Sequence, residues 1–203
     1  LDSYQKGEAD FHSIVSEMAG IPRSQAKTIN LGLFYGMGKN KLQAELGTNK
    51  QDAEDLFSKY HSRVPFVKQL MNAVMQRAQD SGRIRTLLGR LCRFHLWEPN
   101  QFGIHKPLPH EAALAEHGPG IKRAYTYKAL NKLIQGSAAD MTKKAMIDLY
   151  KEGITPHIQV HDELDISVSD NADKIKEIME HTVELEVPNK VDYEHGNNWG
   201  SIK

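Results

Sequence analysis

The sequence predicts an α+β protein, and three patterns carry that reading. Residues 11–79 repeat apolar side chains at helical spacing, residues 128–152 do so over one long run, and residues 83–94 and 158–168 alternate apolar with polar in hairpin fashion. The 203 residues are 39% hydrophobic and 26% charged, ordinary globular proportions that exclude a disordered, collagenous or coiled-coil chain. No apolar run approaches the roughly 20 residues of a membrane span, and no signal peptide opens the sequence. Cys92 is the single cysteine, so neither an internal disulfide nor a cysteine-cluster metal site can form. These features point to a cytoplasmic protein without membrane contact. Leu1 in place of methionine suggests an engineered piece, a processed product or a partial sequence.

In chain order, Phe11, Ile14, Val15 and Met18 mark a first helix that stops at Gly20-Ile21-Pro22, and a second begins near Arg23. Asn49–Gln79 continues the helical pattern through Leu56, Phe57, Tyr60, Phe66, Val67, Leu70, Val74 and Met75, with Pro65 dividing it. Arg83–Leu88, Gly89 and Leu91–Phe94 read as a small hairpin. Residues 98–120 hold four of the eight prolines and predict a long surface loop. Leu130, Leu133, Ile134, Met141, Ala145 and Leu149 share one side of a helix over 128–152, stopped by Gly153. Ile158 and Val160, then Leu164, Ile166 and Val168, alternate across a hairpin at about 157–168 whose connection is His161-Asp162-Glu163. Asp173–Leu185 predicts a helix, and Lys190–Glu194 a last strand in the same sheet.

Net charge is zero, yet residues 1–150 carry 21 basic against 14 acidic side chains and residues 151–203 carry 5 against 12. A basic surface attracts phosphates and an acidic one cations, although solvated helix faces would give the same totals. Arg23, Lys27, Leu31 and Tyr35 lie four apart, and a step of four drifts only about 40° around a helix, so the four fan along one side. Cations near a helix N-terminus oppose its dipole; they suit a polyanion such as a triphosphate, or an ordinary basic face. Gly36–Lys39 is no P-loop, because Leu33 and Asn40 occupy positions that need Gly and Ser or Thr. Asp162 and Glu163 offer oxygen donors suited to magnesium above a rigid hairpin, or form a plain acidic turn. His110-Glu111 lacks the second histidine of a zinc helix at Leu114, so His105, His110 and His117 read as a polar surface loop.

Arg23 through Gly36, read as R-x-x-x-K-x-x-x-L-x-x-x-Y-G, resembles the nucleotide-binding helix of family A DNA polymerases, at about 23–37, with Leu31 in place of the family's Phe or Tyr. Gln135-Gly136-Ser137-Ala138-Ala139-Asp140, Gln159-Val160-His161-Asp162-Glu163-Leu164 and Gly196-Asn197-Asn198-Trp199 are similar to the family's later motifs, in the same order, in the manner of its bacteriophage members. The resemblance implies a right-hand polymerase fold, with residues 1–80 as helical fingers and 81–203 as a distal palm bearing an antiparallel sheet; thumb, exonuclease domain and first palm strands are expected to be absent. It implies a phage-infected bacterial host as the cellular setting.

By the same resemblance, His12, Arg23 and Lys27 hold the triphosphate of a dNTP and Lys27 protonates the departing pyrophosphate. Tyr35 stacks at the insertion site. Asp162, supported by Glu163, ligates two Mg2+ ions, while Gly36, Asn131, Gln135 and His161 meet primer–template DNA. Tyr127 and Lys128 stand where much of the family has an arginine. Leu31 takes the place of the aromatic that packs on deoxyribose, so weaker acceptance of dideoxynucleotides than by a Leu31→Tyr variant is expected; equal incorporation would refute it.

No D-Y-S-x-x-E-x-R segment occurs in these 203 residues, and in the family its aspartate is the second bridging metal ligand. The chain is therefore expected to be a C-terminal portion or split half of a DNA-directed DNA polymerase, inactive alone and completed by an N-terminal polymerase fragment. Two alternatives remain open on the residues: a noncatalytic nucleic-acid-binding module, and a metal-dependent phosphohydrolase built on the His161-Asp162-Glu163 turn.

Overall fold

A computed structural model describes residues 11–101, 103–167 and 171–202, apart from the side chains of Phe11 and Ile14. Helices and small antiparallel sheets make up the chain, as an α+β fold requires. It divides into two compact units, one formed by Asp10–Ile134 and the other containing Gln135–Lys203.

The first unit opens with five helices: α1 (Phe11–Ala19), α2 (Arg23–Phe34), α3 (Lys39–Leu46), α4 (Lys50–Arg63) and α5 (Pro65–Ser81). Val15, Ala26, Ile29, Leu33, Leu42, Leu56, Tyr60, Val64 and Val67 form their common core. Their spacing puts one apolar stripe of each helix inward, and burial of those stripes gives short helices a stability that propensity alone does not. Each break has a local cause. Gly47 takes a left-handed conformation after α3, and Asn49 caps α4 by accepting from the Asp52 backbone N–H at 2.9 Å. Pro65 stands at the first position of α5, where the backbone N–H it lacks has no helical partner to lose. The long periodic run from Asn49 is thus two helices meeting at Val64.

After α5, β1 (Arg83–Arg85) pairs with β2 (Leu91–Arg93), Ile84 opposite Cys92. The strand ends at Arg85; Thr86 to Leu88 belong to the turn, closed by Thr86 N–H to the Arg90 carbonyl at 3.0 Å. Ala78, Ile84, Phe94 and Ala129 form a second, smaller core beneath this hairpin.

The loop expected over 98–120 is instead largely structured. A three-stranded sheet places β3 (Leu96–Pro99) between β4 (Leu108–Pro109) and β5 (Ile121–Arg123), and α6 (His110–His117) follows β4 directly. The prolines bound these elements without interrupting them: Pro99 ends β3, Pro109 stands at the N-cap of α6, and Pro119 follows the glycine that stops it. The alanine-rich His110–His117 has the propensity to fill the space between. Arg123 joins the hairpin and sheet regions, donating to the Gln79 and Phe94 carbonyls at 3.0 Å each while its guanidinium lies 4.5 Å from the Trp97 ring centroid.

α7 (Ala129–Lys151) bridges the residues assigned to the two units, with Leu130, Ala145 and Leu149 buried. In the second unit, β6 (Ile158–Val160) pairs with β7 (Glu163–Asp165), and α8 (Ala172–His181) follows. Val168, expected to extend β7, lies outside the described residues. α8 ends at His181, short of the expected Leu185. No strand forms over Lys190–Glu194: the Val191 N–H donates to the Glu180 side chain at 3.0 Å and the Asn189 amide to the Met179 carbonyl, so this segment binds α8 where a ladder was expected. Asp148 of α7 accepts from Lys144 at 2.6 Å, Thr182 at 2.8 Å and Lys151 at 3.3 Å, tying the end of α8 to α7.

Candidate functional site

Two groups of residues, one in each unit, carry the chemistry the sequence suggests. In the first unit, α2 turns Ala26, Ile29, Asn30 and Leu33 into the core. The opposite side of the same helix therefore has to face outward, and there lie Arg23, Lys27 and Leu31, the last 44% exposed; Tyr35 is half-buried at the C-terminal cap. The first turn of α2 contains no acidic residue. Phe34 meets the Tyr35 ring edge-on, 5.4 Å between centroids, and fixes the aromatic at the end of the stripe. Gly36 follows with a φ of 87°, and a Cβ there would come within 3.2 Å of the Met71 sulfur.

His12 of α1 joins this group through the core side of α2. Its Nδ1 lies 3.0 Å from the Asn30 amide nitrogen, and the Tyr60 hydroxyl donates to Asn30 Oδ1 at 3.1 Å. Asn30 and Tyr60 were not among the residues the sequence nominated. The signal was present: an asparagine at a position of α2 whose spacing otherwise assigns Ala26, Ile29 and Leu33 to the interior.

Asn131 and Gln135 are exposed and four residues apart along α7. Just before them, at the 3-10 turn Thr126–Lys128, the Lys128 ammonium lies 4.9 Å from the Tyr125 ring centroid and 5.6 Å from that of Tyr127. The cation beside Tyr127 is therefore held over two aromatic faces.

In the second unit, the β6–β7 hairpin is tighter than the sequence suggested. His161 and Asp162 alone form the connection, because Glu163 already belongs to β7, paired with Val160. Three polar residues at the turn thus become two, and the reason is register: pairing Val160 with Glu163 closes a two-residue loop, the length that best suits strand twist. Such loops need a positive φ, and His161 supplies it at 53°. The Gln159 side-chain amide donates to the His161 carbonyl and braces this conformation. His161, Asp162 and Glu163 are all exposed.

Among the described residues no group of three or more His, Cys, Asp or Glu side chains could hold a metal ion. Asp162 and Glu163 still fit magnesium by donor chemistry, since that ion is commonly held by one or two carboxylates together with substrate phosphates. The three histidines at 105, 110 and 117 do not make a rival site. His110 Nδ1 lies 3.0 Å from Glu111, and the His105 and His117 rings are 6.3 Å apart. No helix among the described residues is long and apolar enough to cross a membrane.

Comparison with known proteins assigns one family across nearly the whole chain. The family model for DNA polymerase family A matches residues 2–201. A DNA-directed DNA polymerase of Pseudomonas phage M6 is 34% identical over 98% of this chain, which covers 32% of that relative. DNA polymerase I of Geobacillus stearothermophilus is 32% identical over 100% of this chain, which covers 23% of it. The chain thus spans less than two thirds of either relative's length. Among solved structures, the POL domain of Pol1 from M. smegmatis, in complex with DNA primer-template and dNTP, matches with a TM-score of 0.68 and 26% identity over 92% of this chain and 33% of that one.

Proposed function

The chain belongs to DNA polymerase family A, and from that premise we propose that it supplies the nucleotide-binding and metal-binding residues of template-directed DNA synthesis. The observation that carries this reading is the outward stripe of Arg23, Lys27 and Leu31, with Tyr35 at its C-terminal cap, on a helix whose other side is fixed in a core. The Pol1 domain with DNA primer-template and dNTP supports it as a structural relative. Residues 1–80 act as fingers and 81–203 as distal palm in this reading.

In this reading Arg23 and Lys27 neutralise and orient the triphosphate of a dNTP, His12 adds a ring donor, and Tyr35 gives a stacking surface where the new base enters. The oxygen of the primer 3′-hydroxyl gives up its proton to solvent water and forms a bond to the α-phosphorus as the α–β bridging bond breaks, and the Lys27 ammonium gives a proton to the departing pyrophosphate. Asp162, with Glu163 beside it, holds magnesium. The chemistry that ion supplies when bound is neutralisation of the phosphate oxygens, with two ions in the complete enzyme. Gly36, Asn131, Gln135 and His161 contact primer–template DNA. Two carboxylates are too few to clamp both the attacking and leaving oxygens, and among the described residues no third joins them, so in this reading the complete site needs a further carboxylate.

The test is primer extension with magnesium and four dNTPs, using the chain alone and then mixed with a polypeptide bearing the family's D-Y-S-x-x-E-x-R segment. Extension is expected only in the mixture, and Asp162→Ala should reduce it by about a thousandfold or more. Extension by the chain alone, or an active Asp162→Ala mixture, would refute the assignment of the metal ligands.

A further inference from the structure

The β1–β2 hairpin carries a charge pattern that its own packing does not explain. Ile84 is 3% exposed and packs with Phe94 in the second core, and Cys92 opposite it is partly buried against the same cluster. Side chains alternate along a strand, so this inward pair sends Arg83, Arg85, Leu91 and Arg93 to the other face. Arg83, Arg85 and Arg93 are all exposed. The register sets Arg83 directly opposite Arg93, about 5 Å apart at Cβ, and Arg85 follows about 7 Å along β1. Like charges placed directly opposite each other repel and cost stability. No Asp or Glu occurs from Ser81 to Trp97 to offset them. Among the described residues none of the three arginines is ion-paired with a carboxylate.

Three cations fixed on one ribbon face without a counter-charge complement a polyanion. We propose that this outward face docks the phosphate backbone of duplex DNA, with Arg83, Arg85 and Arg93 as the contacting side chains. Guanidinium groups suit the task because their planar donors meet two phosphate oxygens at once. A duplex fits better than a single strand because the ribbon is rigid and a duplex presents its phosphates already ordered. Besides the ladder itself, the Thr86 N–H donates to the Arg90 carbonyl at 3.0 Å and the Phe94 N–H to the Gly82 carbonyl at 2.8 Å. Arg85 also donates to the Gly89 carbonyl at 2.8 Å, which draws its side chain along the turn. The inference rests on the reading of the chain as one that handles primer–template DNA; it does not depend on the metal or nucleotide residues.

Fluorescence anisotropy of the full chain with a short labelled duplex, across a salt series, tests it. Arg83→Gln/Arg85→Gln/Arg93→Gln should bind about ten- to a hundredfold more weakly at low salt, and the slope of log affinity against log salt should fall by about 2.7, three phosphates at roughly 0.9 each. Its urea midpoint should stay at or slightly above that of wild type, because the Arg83–Arg93 opposition is gone. Arg83→Lys/Arg85→Lys/Arg93→Lys, which keeps the charge, should keep the wild-type slope. Lys50→Gln/Lys59→Gln/Lys68→Gln removes the same charge from exposed positions of α4 and α5 and should also leave the slope as it was. A wild-type slope in the hairpin glutamine variant, an equal loss in the Lys50/Lys59/Lys68 variant, or tighter binding of the single strand than of the duplex overturns the proposal. A duplex that the wild type does not bind at all overturns it together with the DNA contacts assigned above. Failed primer extension beside the expected salt slopes supports the hairpin face and refutes the metal assignment alone.

Discussion

Arg23 and Lys27 stand on a twelve-residue helix backed by the larger of the two hydrophobic cores found among the described residues, whereas Asp162 stands in a two-residue turn between strands of three residues each. The helix presents its cations because Ala26, Ile29 and Leu33 leave them no other direction. The turn presents its carboxylate because His161 accepts a left-handed backbone and Gln159 braces it. One site is held by burial spread over many side chains, the other by the conformation of a single residue. Perturbation should therefore separate function from stability at the first and couple them in an unusual sense at the second.

The largest expected effect sharpens the first half of that contrast. Lys27→Ala should lower the rate of nucleotide addition in a reconstituted polymerase by roughly 100- to 1,000-fold. It should leave the urea midpoint of the chain unchanged, since the side chain is exposed. Leu33→Ala on the opposite face should do the reverse at first order, destabilising by about 2–5 kcal/mol through the cavity it leaves, read from denaturant unfolding. A Lys27→Ala protein as destabilised as Leu33→Ala would break the separation.

A smaller effect tests the turn. A left-handed conformation at a non-glycine residue costs about 1–2 kcal/mol, so His161→Gly should stabilise the chain by up to about 1 kcal/mol, less the greater backbone entropy that glycine loses. In a reconstituted enzyme the same change should slow extension, because the ring proposed to meet the primer is gone. Loss of stability in His161→Gly would mean that the ring, and not the backbone, holds the turn.

The smallest effect concerns acid. Hydrogen bonds from Lys144, Thr182 and Lys151, opposed by partial burial, lower the Asp148 pKa from its ordinary value to about 2. A carboxyl depressed in the folded state stabilises it above the ordinary carboxylate pKa, and that contribution is lost as pH falls from about 4 to about 2. The stability gap between wild type and Asp148→Asn should accordingly be present at pH 6 and narrow towards pH 2, measured by thermal unfolding. The group is near the surface, so solvent screening keeps the gap small.

The contrast also explains what could be read without coordinates. The periodicity of α2, α4 and α5 and the positions of Pro65 and Gly153 were legible because the helices bury one stripe each and their ends use residues with fixed backbone preferences. The stripe of Arg23, Lys27 and Leu31 followed from the same periodicity. Residues 98–120 were not legible, since proline density measures where elements stop and is silent on how short they are. Glu163 was placed in the connection because alternation alone does not set register; the pairing of Val160 with Glu163 does. The last strand failed for a different reason: Glu180 and Met179 of α8 capture polar groups of Asn189 and Val191, a tertiary competition that no local pattern encodes. Asn30 is the intermediate case, visible as an anomaly in the stripe, with a meaning that depends on Tyr60, thirty residues away.

Gly82 ends α5 with a φ of 67°, and a Cβ built there would lie 2.7 Å from the Arg123 guanidinium carbon. Arg123 is itself committed to two carbonyls and the Trp97 ring, so it cannot swing aside without giving up all three. The two positions, forty-one residues apart, should therefore drift as a pair across the family: lineages that place a larger residue at the first should have shortened the second, and an alignment of many members would display that covariation.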